Sequence, residues 1–177
     1  MEKYSRVQIF LHWLVVLLVV TAYVTIEYRD IGGKGTVTNS VMKSIHFTCG
    51  SAILILMLVR LWLRRRLPPP AVRPVLPPFA AALATAGHYL LFILFISLPV
   101  LGLLNRYHSG KVWHLFWFTG PVAAVPNPAV AESLLHLHET LAVCGYWLIG
   151  LHVLAALYHH FIRRDNTLLR IMPDKRR

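Results

Sequence analysis

Four long apolar stretches, separated by polar or proline-rich segments, dominate the pattern of this chain. They run roughly over residues 7–28, 41–63, 79–104 and 134–162. Each is long enough to cross a bilayer, which takes about 20 apolar residues. The segments between them are too short to fold as a separate soluble domain. The pattern therefore predicts an all-α, integral membrane four-helix bundle, with residues 1–177 forming one domain.

Charge adds an orientation to this picture. Only 14% of the residues are charged, compared with about 25% in a typical soluble domain. Thirteen of the 18 basic residues flank one face of the predicted bundle: Lys3, Arg6, Arg60, Arg64, Arg65, Arg66, Arg73, Arg163, Arg164, Arg170, Lys175, Arg176 and Arg177. Basic residues near the ends of spans mark the cytoplasmic side, so both termini are predicted to be cytoplasmic. We interpret the net charge of +11 as topology and attraction to membrane lipid, with no nucleic-acid binding.

Four histidines lie inside or at the rims of the apolar stretches: His12, His46, His138 and His152. An ionisable residue within a span is costly and indicates a functional site by default. His138 and His152 are 14 residues apart on the fourth span. On a helix they lie about 21 Å apart along the axis and point within about 40° of the same direction. This one helix therefore offers a ligand near each membrane surface.

Depth in the bilayer pairs these histidines. The first span starts on the cytoplasmic side, which puts His12 about 8 Å below that surface. His46 lies at a similar depth below the outer surface, because the second span runs in the opposite direction. The predicted pairs are His46 with His138 outside and His12 with His152 inside, as expected for two stacked haems. A single such histidine would more often be a buried, hydrogen-bonded side chain, but two pairs matched in depth favour haem. There is no Cys-x-x-Cys-His motif for covalent attachment.

Two further histidines are candidates for contacts with a cofactor or substrate. His159 lies two turns beyond His152, at the predicted inner surface, and His88 enters the third span from the same side. Each is a candidate to bind a quinone head group or a haem propionate. An interfacial role for His159 is an equal alternative. The outer segment 105–133 is predicted to lie on the membrane surface through its aromatic residues Trp113, Phe116, Trp117 and Phe118.

Three segments carry a family resemblance: KYSRVQIFLHWLVVLLVV, IHFTCGSAILILMLVRLWLR and HETLAVCGYWLIGLHVLAALYHHFIRRDNTLLRIMP. They resemble the bacterial cytochrome b561 family over almost the whole chain, least clearly in segment 105–133. The resemblance implies a multi-pass protein of the bacterial inner membrane with two b-type haems. Carried onto this sequence, the family's ligands fall on His12 with His152 and on His46 with His138, the pairs that depth predicts.

The third segment is similar to members of the family that oxidise superoxide and reduce ubiquinone. This similarity implies a superoxide:ubiquinone oxidoreductase that forms dioxygen at the periplasmic side and passes electrons to ubiquinone in the membrane. Lys43, Arg106 and Lys111, with Arg29 and Lys34, are the basic residues of the outer face and are candidates to attract the superoxide anion. Ordinary loop solubility is the alternative explanation for them.

Two other functions stay open at this stage. The first is a haem-bearing membrane subunit that links the quinone pool to a separate dehydrogenase or hydrogenase. The second is a histidine-lined transporter of transition metals, which needs ligands that converge on one site near the midplane. The two predicted depths of the histidines disfavour the transporter. The natural electron donor and the oligomeric state do not follow from the sequence.

Overall fold

The computed structural model describes residues 2–115 and 118–173, in which four long helices make up most of the chain. They are α1 (Arg6–Glu27), α2 (Val37–Arg66), α3 (Pro78–His108) and α4 (Pro128–Phe161). All four are long and apolar enough to cross a membrane, which confirms the predicted all-α bundle. α2, α3 and α4 extend beyond the predicted spans. α4 has 34 residues and is about 51 Å long, whereas the hydrocarbon layer is about 30 Å thick.

Local signals explain where the helices begin. At α1 the side chain of Ser5 accepts a hydrogen bond from the Gln8 backbone, and the Gln8 side chain accepts one from the Ser5 backbone. This reciprocal capping box satisfies donors that the first turn leaves free. At α2 and α4 the cap is a single hydrogen bond. The side-chain oxygen of Thr36 accepts from the Asn39 N–H, and that of Asn127 accepts from the Val130 N–H. Proline at the first position of α3 and α4 suits a helix start, because no helical N–H is needed there.

The main core lies between α1, α2 and α3. α1 packs on α2, α2 on α3, and α3 on α4. The core residues are Val15, Val19, Ala22, Cys49, Ile53, Met57, Phe92, Leu94, Phe95 and Leu98. In the described part of α4 only Ala131 and Gly145 are buried, and large side chains such as Trp147 are exposed. α4 therefore packs closely along α3 and less extensively against α1 and α2.

The start of α1 and segment 162–173 lie at one end of the bundle, here called the terminal end. Segment 162–173 folds back across it. The Tyr4 N–H donates to the Arg170 carbonyl at 3.2 Å, and the Trp13 indole N–H donates to the Ile171 carbonyl at 2.9 Å. The Asn166 side chain accepts from the Arg73 N–H at 2.8 Å. These bonds join segment 162–173 to the first part of α1, to Tyr4 just before it, and to the proline-rich α2–α3 connection. Lys175, Arg176 and Arg177 lie outside the described residues.

The described residues of segment 109–127 lie over the opposite end, here called the loop end. It includes a short antiparallel hairpin of β1 (His114–Leu115) and β2 (Phe118–Thr119). The Trp113 ring lies 5.3 Å from the Phe47 ring and 5.9 Å from the Phe118 ring. Gly120 lies directly against the Trp113 indole, where a β-carbon would overlap the ring. Phe116 and Trp117, from the predicted aromatic anchor, lie outside the described residues.

Candidate cofactor sites

His46 on α2 and His138 on α4 face each other near the loop end. Their ring centroids are 6.2 Å apart and the ring planes cross at 77°. The Nδ1 atom of His46 lies 2.8 Å from the Ala22 carbonyl oxygen, and that of His138 lies 2.8 Å from the Leu98 carbonyl oxygen. A carbonyl only accepts, so each Nδ1 carries the proton and donates it. Each Nε2 is left with a free lone pair, which is the state that binds a metal.

His12 on α1 and His152 on α4 form a second pair toward the terminal end. Their ring centroids are 6.5 Å apart and the planes cross at 61°. A third ring, that of His88 on α3, lies 5.6 Å from His152. The guanidinium of Arg60 on α2 lies 3.1 Å from His12 Nδ1. In the sequence Arg60 lies within the apolar run ILILMLVRLW, and an ionisable residue inside a span is a signal for a functional site.

The spacing within each pair fits a haem iron. Imidazole nitrogens bind transition metals at about 2.0–2.1 Å, so two rings on opposite sides of one metal atom have centroids about 6.4 Å apart. The separations of 6.2 and 6.5 Å match this value. Among residues 2–115 and 118–173, no group of three or more His, Cys, Asp or Glu side chains could hold a bare metal ion. Two donors suit a metal that arrives with four equatorial donors, as in haem.

His159 lies beyond the His12–His152 pair, at the end of α4, and is bonded to a buried carboxylate. Its Nδ1 lies 2.5 Å from Asp165 Oδ2, and the Asp165 side chain has an exposed fraction of 0%. The Thr167 N–H donates to Asp165 Oδ1 at 2.9 Å. Burial acts to raise the pKa of Asp165, but the hydrogen bonds from His159 and Thr167 outweigh it and hold the pKa below its usual value. Asp165 is therefore a carboxylate at neutral pH, and nothing in the sequence singled it out.

Basic side chains surround the loop end near His46. The Arg106 guanidinium lies 5.9 Å from the centre of the Phe47 ring, which is next to His46 in the chain. Lys43 is exposed and lies almost one turn before His46 on α2, and Lys111 is exposed just after α3. Arg29 is within electrostatic range of His46, although its guanidinium also lies 3.8 Å from the Asp30 carboxylate. This end of the bundle therefore presents several cations beside one histidine pair.

The fold and the histidine pairs place the chain in the class of membrane-spanning b-type cytochromes. Residues 3–174 match the family described as prokaryotic cytochrome b561. The chain is 44% identical to "Probable superoxide oxidase CybB" of Yersinia pestis over 99% of this chain and 98% of that protein. It is 37% identical to "Cytochrome b561 homolog 1" of Escherichia coli K12 over 99% of this chain and 100% of that protein. It is 29% identical to "Cytochrome b561 homolog 2" of the same bacterium over 97% of this chain and 92% of that protein.

The chain belongs to the prokaryotic cytochrome b561 family. It is therefore a multi-pass protein of the bacterial inner membrane that transfers electrons, and its cofactor is haem b.

Proposed function

We propose that this protein is a superoxide:ubiquinone oxidoreductase that holds two haems b. His46 and His138 ligate one haem, and His12 and His152 ligate the other. The observation that carries the proposal is the presence of two histidine pairs toward opposite ends of the bundle, with ring separations of 6.2 and 6.5 Å. The superoxide substrate is supported by the 44% identity to a probable superoxide oxidase. The excess of basic residues at the terminal end supports a cytoplasmic position for both termini.

The overall reaction balances in a simple way. Two superoxide anions each lose one electron and become dioxygen, and ubiquinone takes up the two electrons with two protons to become ubiquinol. A haem b at each pair supplies reversible one-electron transfer when bound. The two imidazoles of each pair would both bind the iron of one haem. Superoxide would then give up its electron at the protein surface, without forming a bond to the metal.

The residues at the loop end guide the anion. Lys43, Arg106 and Lys111 concentrate superoxide near His46 by electrostatic attraction. Arg106 is the best placed of the three, because its guanidinium is held over Phe47, the neighbour of His46. Superoxide is consumed in the periplasm by this arrangement.

The residues at the terminal end handle the quinone and its protons. His159 Nδ1 is bonded to the buried Asp165 carboxylate, so its Nε2 is free to hold a proton for the reduced quinone oxygen. His88, whose ring lies 5.6 Å from His152, is a second candidate for contact with the quinone or a propionate. Changing His159→Phe should slow reoxidation of the reduced protein by ubiquinone by about 100-fold, the lower range for loss of a general acid. Reduction by superoxide should be unchanged.

Haem content tests the ligand assignment. The purified protein should hold two non-covalent haems b that acid acetone extracts. His46→Ala and His138→Ala should each remove the haem near the loop end, whereas His12→Ala and His152→Ala should remove the other. His136→Ala is the matched control, because His136 is exposed two residues before His138, and it should retain both haems. A content of one haem in the unmodified protein, or losses that cross the pairs, would contradict the assignment.

The rate of superoxide loss tests the reaction. The haem-loaded protein should accelerate superoxide decay, and the acceleration should require ubiquinone once the haems are reduced. If the protein binds two haems but does not accelerate this decay, a subunit serving a separate dehydrogenase or hydrogenase becomes the better explanation.

A further inference from the structure

Arg60 is a cation within a membrane span that has no anionic partner among residues 2–115 and 118–173. It lies on α2, six residues before the helix ends at Arg66, which places it about 9 Å from that end. Its guanidinium contacts His12 Nδ1 at 3.1 Å and the Met57 sulfur at 3.7 Å, and lies 5.8 Å from the Phe92 ring centre. No carboxylate in the described part of the chain lies within ion-pair distance of it. A part-buried guanidinium in apolar surroundings is costly unless an anion pairs with it.

The contact with His12 is incompatible with metal ligation by that ring. A guanidinium only donates hydrogen bonds, so His12 Nδ1 accepts and the proton of the neutral ring lies on Nε2. Binding a metal through Nε2 requires a lone pair there and moves the proton to Nδ1. Two donors would then face each other at 3.1 Å. Haem binding at His12 must therefore turn Arg60 toward another acceptor.

The other histidine pair shows that this conflict is specific to His12. His46 and His138 both direct Nδ1 to a backbone carbonyl at 2.8 Å. Those bonds already hold the tautomer that ligates a metal. Compared with His46 and His138, His12 has a cation in the position of the acceptor, so ligation of a haem by His12 requires another partner for Arg60.

We infer that Arg60 binds a propionate carboxylate of the haem at His12 and His152, an inference that rests on the proposed function. A haem brings two carboxylates into the site, and arginine binds a carboxylate with two parallel hydrogen bonds. Arg60 thereby fixes the orientation of this haem. Its positive charge also favours the reduced state, because it compensates the negative propionate beside the iron.

The midpoint potentials of the two haems test this role. In Arg60→Gln, the oxidised-to-reduced ratio of the haem near the terminal end should rise about tenfold at a given potential, which corresponds to a shift of about −59 mV for one electron. The haem near the loop end should not shift. Arg60→Lys keeps the charge without the two-pronged contact and should show a shift of about threefold or less. Arg65→Gln is the matched control, since Arg65 is an exposed cation in the last turn of α2, and it should leave both potentials unchanged.

Haem with esterified propionates identifies the anion. In the full-length protein loaded with native haem, Arg60→Gln should release the haem near the terminal end about tenfold faster, because a charge-assisted bond to a propionate is lost. With the dimethyl ester of haem the substitution should not change the rate of release, because the carboxylates are blocked. A phospholipid phosphate as the partner of Arg60 would instead give the same change with either haem, and that result would overturn the inference. If Arg60→Gln retains no native haem, release of the two haems is compared in Arg60→Lys, which must again affect native haem more than the ester.

The spectrum of the unmodified protein separates this inference from the proposed function. If it lacks two haems, the proposed function fails together with the role of Arg60. If it holds two haems and Arg60→Gln leaves both potentials unchanged, only the inference about Arg60 is wrong.

Discussion

Neutralising Arg106 and Lys111 together should slow the reduction of the protein by superoxide, and the effect should depend on salt. Lys111 is exposed and Arg106 is half-buried over Phe47 at the loop end. Superoxide carries one negative charge, so each cation lowers its energy near the site. The Arg106→Gln, Lys111→Gln double variant removes both contributions while retaining polar side chains of similar size. We expect haem content to be unchanged, because neither residue is a proposed ligand.

The size of the effect follows from Coulomb's law. A unit charge about 10 Å from the approaching anion contributes about 0.4 kcal/mol in water. At 0.01 M salt the screening length is about 30 Å, and two charges together retain about 0.6 kcal/mol, or about 2.7-fold in rate. At 0.15 M the screening length is about 8 Å, and the effect falls to about 1.5-fold. The effective dielectric near a protein surface can be as low as about 20, so these factors are lower bounds, above all for Arg106.

Stopped-flow absorbance of haem reduction, measured over this range of salt, is the appropriate assay. The unmodified protein should react more slowly as salt rises, and the double variant should show a flatter dependence. Arg65→Gln with Arg66→Gln is the control, because these exposed cations lie at the terminal end and should not change the rate. Electrostatic guidance by Arg106 and Lys111 is refuted if the double variant has the same salt dependence as the unmodified protein.

Three further predictions concern topology, packing and pH. In a cysteine-free background, an impermeant maleimide added to intact cells should label a cysteine at position 111 but not one at position 164; the reverse pattern would invert the orientation. Gly145→Ala should destabilise the bundle by about 1–3 kcal/mol in thermal unfolding, because the added β-carbon would overlap the Tyr23 hydroxyl, and unchanged stability would contradict this packing. The pKa of Asp165 is lowered in the folded protein, so its stabilisation is present above the unfolded carboxyl pKa of about 3.9 and is lost as the pH falls through the folded pKa. The protection of segment 162–173 against hydrogen exchange, relative to the intrinsic rate at each pH, should fall in that acidic range and should be low at every pH in Asp165→Asn. Strong protection in that variant would show that the carboxylate is dispensable.

The sequence alone was sufficient to predict the bundle and to pair the histidines. Apolar runs of this length have one stable arrangement in a bilayer, because a helix satisfies its own backbone hydrogen bonds. The alternating direction of the spans and the regular rise of a helix then assign a depth to His12, His46, His138 and His152. The structure brings the same pairs together, with ring separations of 6.5 and 6.2 Å. Their role as haem ligands stays a prediction until haem content is measured.

Only the tertiary structure decided what surrounds these histidines. The carbonyls of Ala22 and Leu98 accept from His46 and His138, and backbone oxygens carry no mark in a sequence. Arg60 is 48 residues from His12, and their contact depends on how α1 and α2 rotate against each other. The predicted depth of a residue in a span follows from the residues of its own helix. A hydrogen-bond partner on another helix depends on how the two helices pack, and side-chain shapes along the whole interface determine that packing.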